Sequence, residues 1–371
     1  MTIEKNQDDN FFKKLLHSQM IIPIAALLAL VVFNLIADPS FFAISMGQDS
    51  TGNPVLSGQL ISILNNGSEL AILAIGMTCV ILTGGIDLSG GQDISVGATI
   101  AVAGSAMLAV LCGGNMRPEV VTTPFIVAFI VGVLVAMLCG AFNGVMVAVF
   151  KVQPMVATLI LYTAGRSIAA WINNNALPII PTDSGFGIFG GFIPGIPIPT
   201  PVFIAAACIV VIFLVLKFTS LGLYVQSVGI NERAARLNGL NPTFIKWLTF
   251  VILGVCVAVA ALIKVSRIST INYQTIAADI EMDAILAVAL GGNALSGGKF
   301  NMGSSILGAY VIQFLTTTLY KFNVASAALP AYKAVVVILL VVLSAPIVRN
   351  KLSALWKKIR SPKQTEVEVA K

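Results

Sequence analysis

The sequence predicts an all-α polytopic membrane protein with about ten transmembrane helices. Of its 371 residues, 57% are hydrophobic and 10% are charged, and the mean hydropathy is +0.94. Soluble domains carry roughly 25% charged residues, so a water-soluble fold of this composition would have too few charges to cover its surface. The composition therefore excludes a water-soluble enzyme, a disordered chain and a nucleic-acid binder.

Long uncharged runs define the individual spans, because a helix needs roughly 20 apolar residues to cross the hydrocarbon core. Glu69 interrupts one apolar stretch without dividing it, since 60–83 reads as a single helix. We expect one membrane domain over 1–371, with the helical bundle at 20–348. The predicted spans are centred near residues 28, 72, 103, 134, 163, 208, 254, 289, 311 and 340.

The positions of Lys and Arg predict that both chain ends lie in the cytoplasm, because cytoplasmic loops carry an excess of these residues. This topology places sixteen of them inside and five outside. The main cytoplasmic segments are the N-terminus at 1–19, a loop at 217–246 and a tail at 349–371. The net charge of +6 is then explained by topology and does not require an acidic partner. The five Lys and Arg residues predicted to lie outside are Arg117, Lys264, Arg267, Lys321 and Lys333.

Few side chains of this sequence could form a metal site or a hydrolytic centre. All five cysteines lie in or beside apolar segments, and their spacing matches no metal or disulfide framework. His17 is the single histidine. We therefore expect no metal, no bound cofactor and no catalytic residue in this chain.

Two glycine-rich segments share the pattern Gly-Gly-x-x-Leu-Ser-Gly-Gly, at 84–91 and 291–298. Glycine lets a helix bend and lets neighbouring elements approach closely. The first segment, with Asp87 and Ser89, is either a short cytosolic turn or a bend that shapes a path for solute. The two segments are either a true internal repeat or a coincidence in a chain with 32 glycines.

Polar side chains within the spans are candidates to line such a path, because burying them in a membrane is costly. Glu69 and Arg166 are the clearest cases, and the two are also candidates to pair with each other. Amides and hydroxyls suit a neutral, hydroxyl-rich solute such as a sugar, although the same groups also join helices. The candidate path residues are Asn65, Asn66, Glu69, Asp87, Ser89, Asn143, Thr158, Arg166 and Gln313.

The energy source for transport is predicted to lie in another subunit. A carrier driven by an ion gradient normally needs carboxylates or histidines at mid-membrane. Here Glu69 alone is firmly inside a span, and Asp87 lies at an edge. The alternative prediction is a carrier that couples transport to an ion gradient.

The loop at 217–246 contains a predicted short amphipathic helix at the membrane face. Asn231 or Glu232 is expected to begin it, and Gly239 to end it. The helix is interpreted as a docking element for a cytosolic partner, with a solvated connector as the alternative.

Several motifs together resemble the permease subunits of ribose, galactose and galactofuranose-type ABC sugar importers. The resemblance covers about residues 60–348. One departure concerns Asp87, since the family pattern Asp-Leu-Ser-Val-Gly is divided here between Asp87 and Asp93, and Asp87 is favoured because it follows Gly-Gly-Ile. The motifs are Thr83-Gly84-Gly85-Ile86-Asp87-Leu88-Ser89, Asn143-Gly144, Gln153-Pro154-x-Val156-Ala157-Thr158-Leu159, Val228-Gly229-Ile230-Asn231-x-x-Ala234-Ala235 with Gly239, and Glu281-x-Asp283-Ala284-Ile285-Leu286-Ala287-Val288 with Gly291-Gly292.

The resemblance implies a type II importer-like permease of the bacterial inner membrane, working as a homodimer or beside a similar chain. A cytosolic ATPase would bind ATP and Mg²⁺ and hydrolyse ATP, and an extracytoplasmic binding protein would deliver the sugar and set specificity. The short helix would then couple the permease to the ATPase. The coupling residues implied are Gly229, Asn231, Glu232, Arg233, Ala234, Ala235, Arg236 and Gly239.

Overall fold

A computed structural model describes residues 20–48, 52–83, 94–113, 123–181, 184–293, 297–298 and 300–344. These residues form an α-helical bundle with one short β-hairpin. In chain order the helices are α1 (Ile21–Ala37), α2 (Gln59–Leu82), α3 (Ile94–Leu111), α4 (Phe125–Ala148), α5 (Pro154–Ile172), α6 (Thr200–Phe218), α7 (Leu221–Ile230), α8 (Glu232–Leu237), α9 (Pro242–Ile268), α10 (Ile280–Leu290), α11 (Met302–Lys321) and α12 (Leu329–Ser344).

Five of the described helices are long and apolar enough to cross a membrane, namely α2, α4, α6, α9 and α11. Every one of the ten predicted span centres lies within a helix. At 11 residues α10 is about 16 Å long, however, which is too short to cross the hydrocarbon core alone. The multi-pass helical class is thus confirmed, while the count of ten spans stays a prediction.

Helices α2 and α9 form the centre of the bundle, and most of their residues are buried. Helix α9 packs against α4 through small residues at four-residue spacing. Gly140 and Gly144 of α4 face Phe250 and Trp247, and Gly254 of α9 faces the backbone of Ala136. A Cβ atom at any of the three glycines would crowd the opposite helix, so the close approach of α4 and α9 depends on them.

Asparagine side chains begin three of the helices. The Oδ1 atoms of Asn231, Asn241 and Asn301 accept hydrogen bonds from the backbone N–H groups of Ala234, Phe244 and Ser304. Each bond satisfies one N–H that has no partner within its helix. These local signals place the starts of α8, α9 and α11.

The β-hairpin lies between α1 and α2 and was not predicted. Strand β1 (Ser45–Gln48) pairs antiparallel with β2 (Pro54–Ser57), so that Ser45 lies opposite Ser57. The Leu56 backbone N–H donates to the Pro197 carbonyl at 3.1 Å. This bond ties the hairpin to the segment that precedes α6.

Candidate functional site

A cluster of charged and amide side chains joins α2 to the far end of α9. Glu69 of α2 is 2% exposed. Its carboxylate lies 3.2 Å from the Lys264 ammonium and 3.4 Å from the Arg267 guanidinium. Because Lys264 and Arg267 are three residues apart on one helix, they lie on the same face of α9 and both reach Glu69.

Two asparagines complete this cluster, which we define as Asn65, Asn66, Glu69, Lys264 and Arg267. We call it the outer cluster because the predicted topology places this end of α9 outside. The guanidinium of Arg267 donates to Asn66 Oδ1 at 2.6 Å and to Asn65 Oδ1 at 3.0 Å. It also donates to the Asn65 backbone carbonyl at 3.2 Å. Three of the predicted path residues are therefore gathered around one arginine that was not among them.

Glu69 and Arg166, which were candidates to pair with each other, have different partners in the structure. Arg166 lies on α5 and donates to backbone carbonyls of the loop between α9 and α10, whereas Glu69 takes its cations from α9. The residues Lys264 and Arg267 were assigned to an outside loop because charges were taken to end the helix. In the structure α9 continues to Ile268, since Glu69 compensates those charges.

The outer cluster borders a cavity of about 490 Å³ between α2, the end of α9, α10 and α11. Its wall mixes hydroxyl, amide and charged groups with a few apolar side chains. The polar side chains that line it are Asn66, Glu69, Lys264, Thr270, Asn272, Thr275, Asp283, Gln313, Thr316 and Tyr320.

Asp283 is a member of this wall that sequence reasoning did not select as a path residue. Its carboxylate lies 2.7 Å from the Lys333 ammonium of α12. Both carboxylates of the wall, Glu69 and Asp283, therefore have a lysine partner. The sequence did contain a sign that Glu69 and Asp283 have partners. Each begins or interrupts an apolar helix, where an unpaired charge is costly.

The other predicted path residues lie in different places. Gln313 lines the cavity and donates to Thr317 Oγ1 at 3.4 Å. Asn143 is buried in α4 beside a small cavity next to Gly140 and Phe250. Thr158 is buried in α5, where its hydroxyl donates to the Pro154 carbonyl at 2.9 Å. Asp87, Ser89 and Asp93 are outside the described residues.

At the opposite end of α9, the predicted short helix is present as α8. Asn231 caps its start, as expected, and Gly239 has a positive φ of 80° just beyond its end. A positive φ favours glycine, so Gly239 ends the helix in the predicted manner. The loop at 217–246 also contains α7, which was not predicted, and the beginning of α9.

Glu232 of α8 is the centre of a cluster of cations. Its carboxylate lies 2.6 Å from Lys246 of α9, 3.4 Å from Lys151 and 3.7 Å from Arg236. The hydrogen bond from Lys246 is the main cause that holds the pKa of Glu232 below its ordinary value, and the charges of Lys246 and Lys151 act in the same direction. All of these residues were predicted to lie on one side of the membrane.

The other residues that the resemblance implies for coupling to an ATPase lie in different environments. Ala235 is buried against the bundle, whereas Arg233 and Ala234 are exposed. Gly229 does not begin the helix. It lies within α7, and a Cβ atom there would overlap the Leu82 carbonyl and approach the Gly298 backbone nitrogen to 2.8 Å.

Gly229 thus marks the point where α7, the end of α2 and the second glycine-rich segment meet. The Gly298 backbone N–H donates to the Leu82 carbonyl at 3.3 Å. The segment at 84–93, which follows α2, and residues 294–296 are outside the described residues, so the internal repeat stays a prediction.

Among the described residues, no group of three or more His, Cys, Asp or Glu side chains is placed to hold a metal ion. The described cysteines are free thiols.

The bundle, with a polar cavity at one end and a charged helix at the other, is that of a multi-pass membrane protein, and its relatives identify its class. The family model for the branched-chain amino acid transport system permease component matches residues 59–345. The chain belongs to this family.

Curated relatives cover nearly the whole chain. The fructose import permease protein FruF of Bifidobacterium longum is 35% identical to this chain. The match covers 99% of this chain and 98% of the length of FruF. The galactofuranose transporter permease protein YtfT of Escherichia coli is 37% identical over 92% of this chain and 93% of its own. The ribose import permease protein RbsC of Escherichia coli is 33% identical over 85% of this chain and 90% of its own length. The resemblance to sugar-importer permeases is confirmed.

Proposed function

We propose that this chain is the membrane permease subunit of an ATP-driven ABC importer for a monosaccharide, such as ribose, galactose, galactofuranose or fructose. The relatives named for fructose, galactofuranose and ribose support this substrate class. The polar cavity beside Glu69 is the observation that carries the proposal, because it offers a hydroxyl-rich solute a place within the bundle.

The chemistry of the cavity wall favours a neutral solute. Asn66, Gln313, Thr316 and Tyr320 supply donors and acceptors that match sugar hydroxyls. The carboxylates of Glu69 and Asp283 are already held by lysines. A cation would have to compete with those lysines, whereas a sugar can bind through the amides and hydroxyls.

The same ion pairs support ATP over an ion gradient as the energy source. A carboxylate that couples transport to protons or sodium must exchange its counter-ion during the cycle. Glu69 is instead held by two fixed cations of α9. We therefore assign the drive to a separate ATPase subunit, which binds ATP and Mg²⁺.

Helix α8 is the element that we assign to contact with the ATPase. Its exposed face presents Arg233, Ala234 and Leu237, and Leu237 is 90% exposed. Its opposite side is fixed to the bundle by Ala235 and Glu232. A helix that is fixed on one side and presents an exposed leucine beside an arginine on its free side suits a groove in a partner.

The complete transporter in this proposal contains two permease chains, identical or similar, and an extracytoplasmic sugar-binding protein. It lies in the bacterial inner membrane with both chain ends in the cytoplasm. The binding protein delivers sugar at the end that carries the outer cluster.

Reconstitution of the complex tests this function. The chain, co-expressed with its ATPase and binding protein, is placed in liposomes, and the uptake of labelled ribose, galactose, galactofuranose and fructose is measured. We expect uptake of at least one sugar that requires ATP. Uptake driven by a proton or sodium gradient without ATP would contradict the proposal.

A charge placed on the free face of α8 tests the contact with the ATPase. Ala234→Glu should abolish co-purification of the ATPase and ATP-dependent uptake, with normal membrane insertion. Ala325→Glu makes the same change at an exposed alanine near the opposite end of the bundle, and it should retain the ATPase. Retention of the ATPase and normal uptake by Ala234→Glu would overturn the assignment.

A further inference from the structure

We propose that residues 272–279 form a lid over the outer cavity and that Arg166 is the latch that holds this lid closed. The proposal rests on the proposed function in one respect, namely that the cavity is part of the solute path. Arg166 itself is then a positioning residue rather than part of the path wall.

The contacts of Arg166 are directed at the backbone of the lid. Its Nη1 atom donates to the carbonyls of Tyr273, Gln274 and Ile276 at 2.8, 3.1 and 3.4 Å. The guanidinium also lies over the Tyr162 ring, 5.6 Å from its centroid, which orients it on α5. Guanidinium donors in a fixed plane suit a cluster of carbonyls, and a lysine ammonium lacks that plane.

The segment before the lid is fixed in a different way. The Ser269 carbonyl accepts from the Ile180 N–H at 2.8 Å, and the Ile271 N–H donates to the Pro178 carbonyl at 3.3 Å. From Asn272 onward, the backbone bonds are local turns, in which the Asn272 carbonyl accepts from Thr275 and Ile276. In the described part of the chain, Arg166 joins these turns to another helix.

Two residues near the end of the lid have left-handed backbone conformations. Ala277 has a φ of 51° and Asp279 a φ of 62°, and neither is a glycine. Residues other than glycine adopt this conformation at a cost and keep it where their surroundings hold it in place. Release of the latch would allow both residues to relax, which favours the open lid.

The lid contributes the side chain of Ile276 to the wall of the cavity. This residue lines the cavity and is 4% exposed, and Ala277 beside it is 5% exposed. Thr275 and Ala278 also belong to the wall. Movement of this segment would open the cavity toward the outer end and bring Ile276 into water.

Thiol labelling of Ile276→Cys measures the opening directly, with a membrane-impermeant maleimide on the assembled transporter and no sugar or ATP. The native cysteines are accounted for by labelling the protein with Ile276 intact. Adding Arg166→Gln should raise the labelling rate at least about tenfold, since hydrogen bonds from a charged donor contribute enough free energy for that change in an opening equilibrium.

Two comparisons make the result specific to the latch. Arg166→Lys, which keeps the charge, should raise labelling by less than Arg166→Gln does. Lys321→Gln removes another cation of the outer end, which pairs with Asp38 at 3.3 Å, and it should leave labelling unchanged. Equal labelling of Arg166→Gln and the parent would overturn the proposal.

The buried Glu281 requires one further variant, because the charge of Arg166 also acts on its carboxylate. The double variant Arg166→Gln, Glu281→Gln removes both charges. Fast labelling of the double variant supports the latch. Slow labelling would mean that the unpaired Glu281 causes the faster labelling of Arg166→Gln, and it would overturn the proposal. Labelling needs no transport, so a transporter that moves no sugar would overturn the proposed function while the labelling result still decides the latch.

Discussion

The Lys264 ammonium of α9 lies 3.2 Å from the Glu69 carboxylate of α2, although the two residues are far apart in sequence. Glu69 is almost completely buried, and the lysine is about three-quarters buried. The contact joins the two central helices of the bundle at the wall of the outer cavity. It therefore links the stability of the fold to the site that we assign to solute.

Glu69→Gln should destabilise the protein strongly. The substitution keeps the shape of the side chain but leaves Lys264 and Arg267 as neighbouring, unpaired cations. We expect the free energy of unfolding to fall by about 3 kcal/mol, the lower end of the range for breaking a buried ion pair, because both cations keep some exposure to water. Thermal unfolding of the detergent-solubilised protein measures the loss.

A double-mutant cycle separates the pair from other effects of this change. Lys264→Met combined with Glu69→Gln should cost less than the two single changes together. Lys321→Gln, which breaks a partly exposed pair with Asp38, should cost no more than about 1 kcal/mol. Strict additivity of the two single changes would contradict a direct interaction.

Gly229→Ala should destabilise the junction of α7, α2 and the second glycine-rich segment. The added methyl group would overlap the Leu82 carbonyl, and backbone atoms cannot move aside as a flexible side chain can. A loss of about 3 kcal/mol is expected, the upper end of the usual range for overpacking. Expression level and unfolding temperature report it.

Gly239→Ala is the matched control for that change. Gly239 has space around it, and its positive φ is the sole obstacle to a side chain. The expected cost is about 1 kcal/mol, that of a left-handed alanine. If Gly239→Ala were the more damaging of the two, the close contact at Gly229 would be of no consequence.

Asn231→Ala should loosen α8. The substitution removes the acceptor for the Ala234 N–H, and loss of such a cap typically costs about 1 kcal/mol. The exposed Arg233 and Arg236 provide trypsin sites within the helix, so cleavage there should become faster. Asn231→Asp keeps an acceptor at the helix start and should be cleaved at the parent rate, while equally fast cleavage of both variants would argue against the cap.

The Glu232 cluster should contribute to stability at neutral pH and lose that contribution in acid. The pKa of Glu232 in the folded protein lies below the ordinary 4.5, chiefly through the hydrogen bond from Lys246. A carboxyl group with a lowered pKa stabilises the fold above its ordinary pKa, and the contribution disappears as the pH falls through the folded value.

Unfolding temperatures of the parent and Glu232→Gln test this dependence. The difference between them should be constant from pH 7 down to about 4.5 and should shrink below that pH. A difference that grew as the solution became more acidic would have the wrong sign for a stabilised carboxylate.

The sequence was informative where the signal is local. The unbroken apolar stretch at 60–83 predicted a helix that is observed at Gln59–Leu82, and Asn231 and Gly239 predicted the limits of α8. Each of these features depends on residues within a few positions of one another.

The outer cluster was less predictable because it is formed by residues from different helices. Lys264 and Arg267 were expected to end a span, since a charge in isolation is costly in a membrane. Their compensation by Glu69 depends on the packing of α9 against α2, for which the sequence contains no local sign. For the same reason Arg166, and not Lys264 or Arg267, was the candidate partner for Glu69.

Helix α9 has an ion pair near each end, with Glu232 at Lys246 and with Glu69 at Lys264. About 27 Å of helix separates these two lysines. The Glu232 pair joins α9 to α8, its neighbour in the chain, so it does not oppose a movement of the two helices together. The Glu69 pair joins α9 to α2, so a slide of α9 past α2 would break a buried ion pair at the cavity wall and is penalised there.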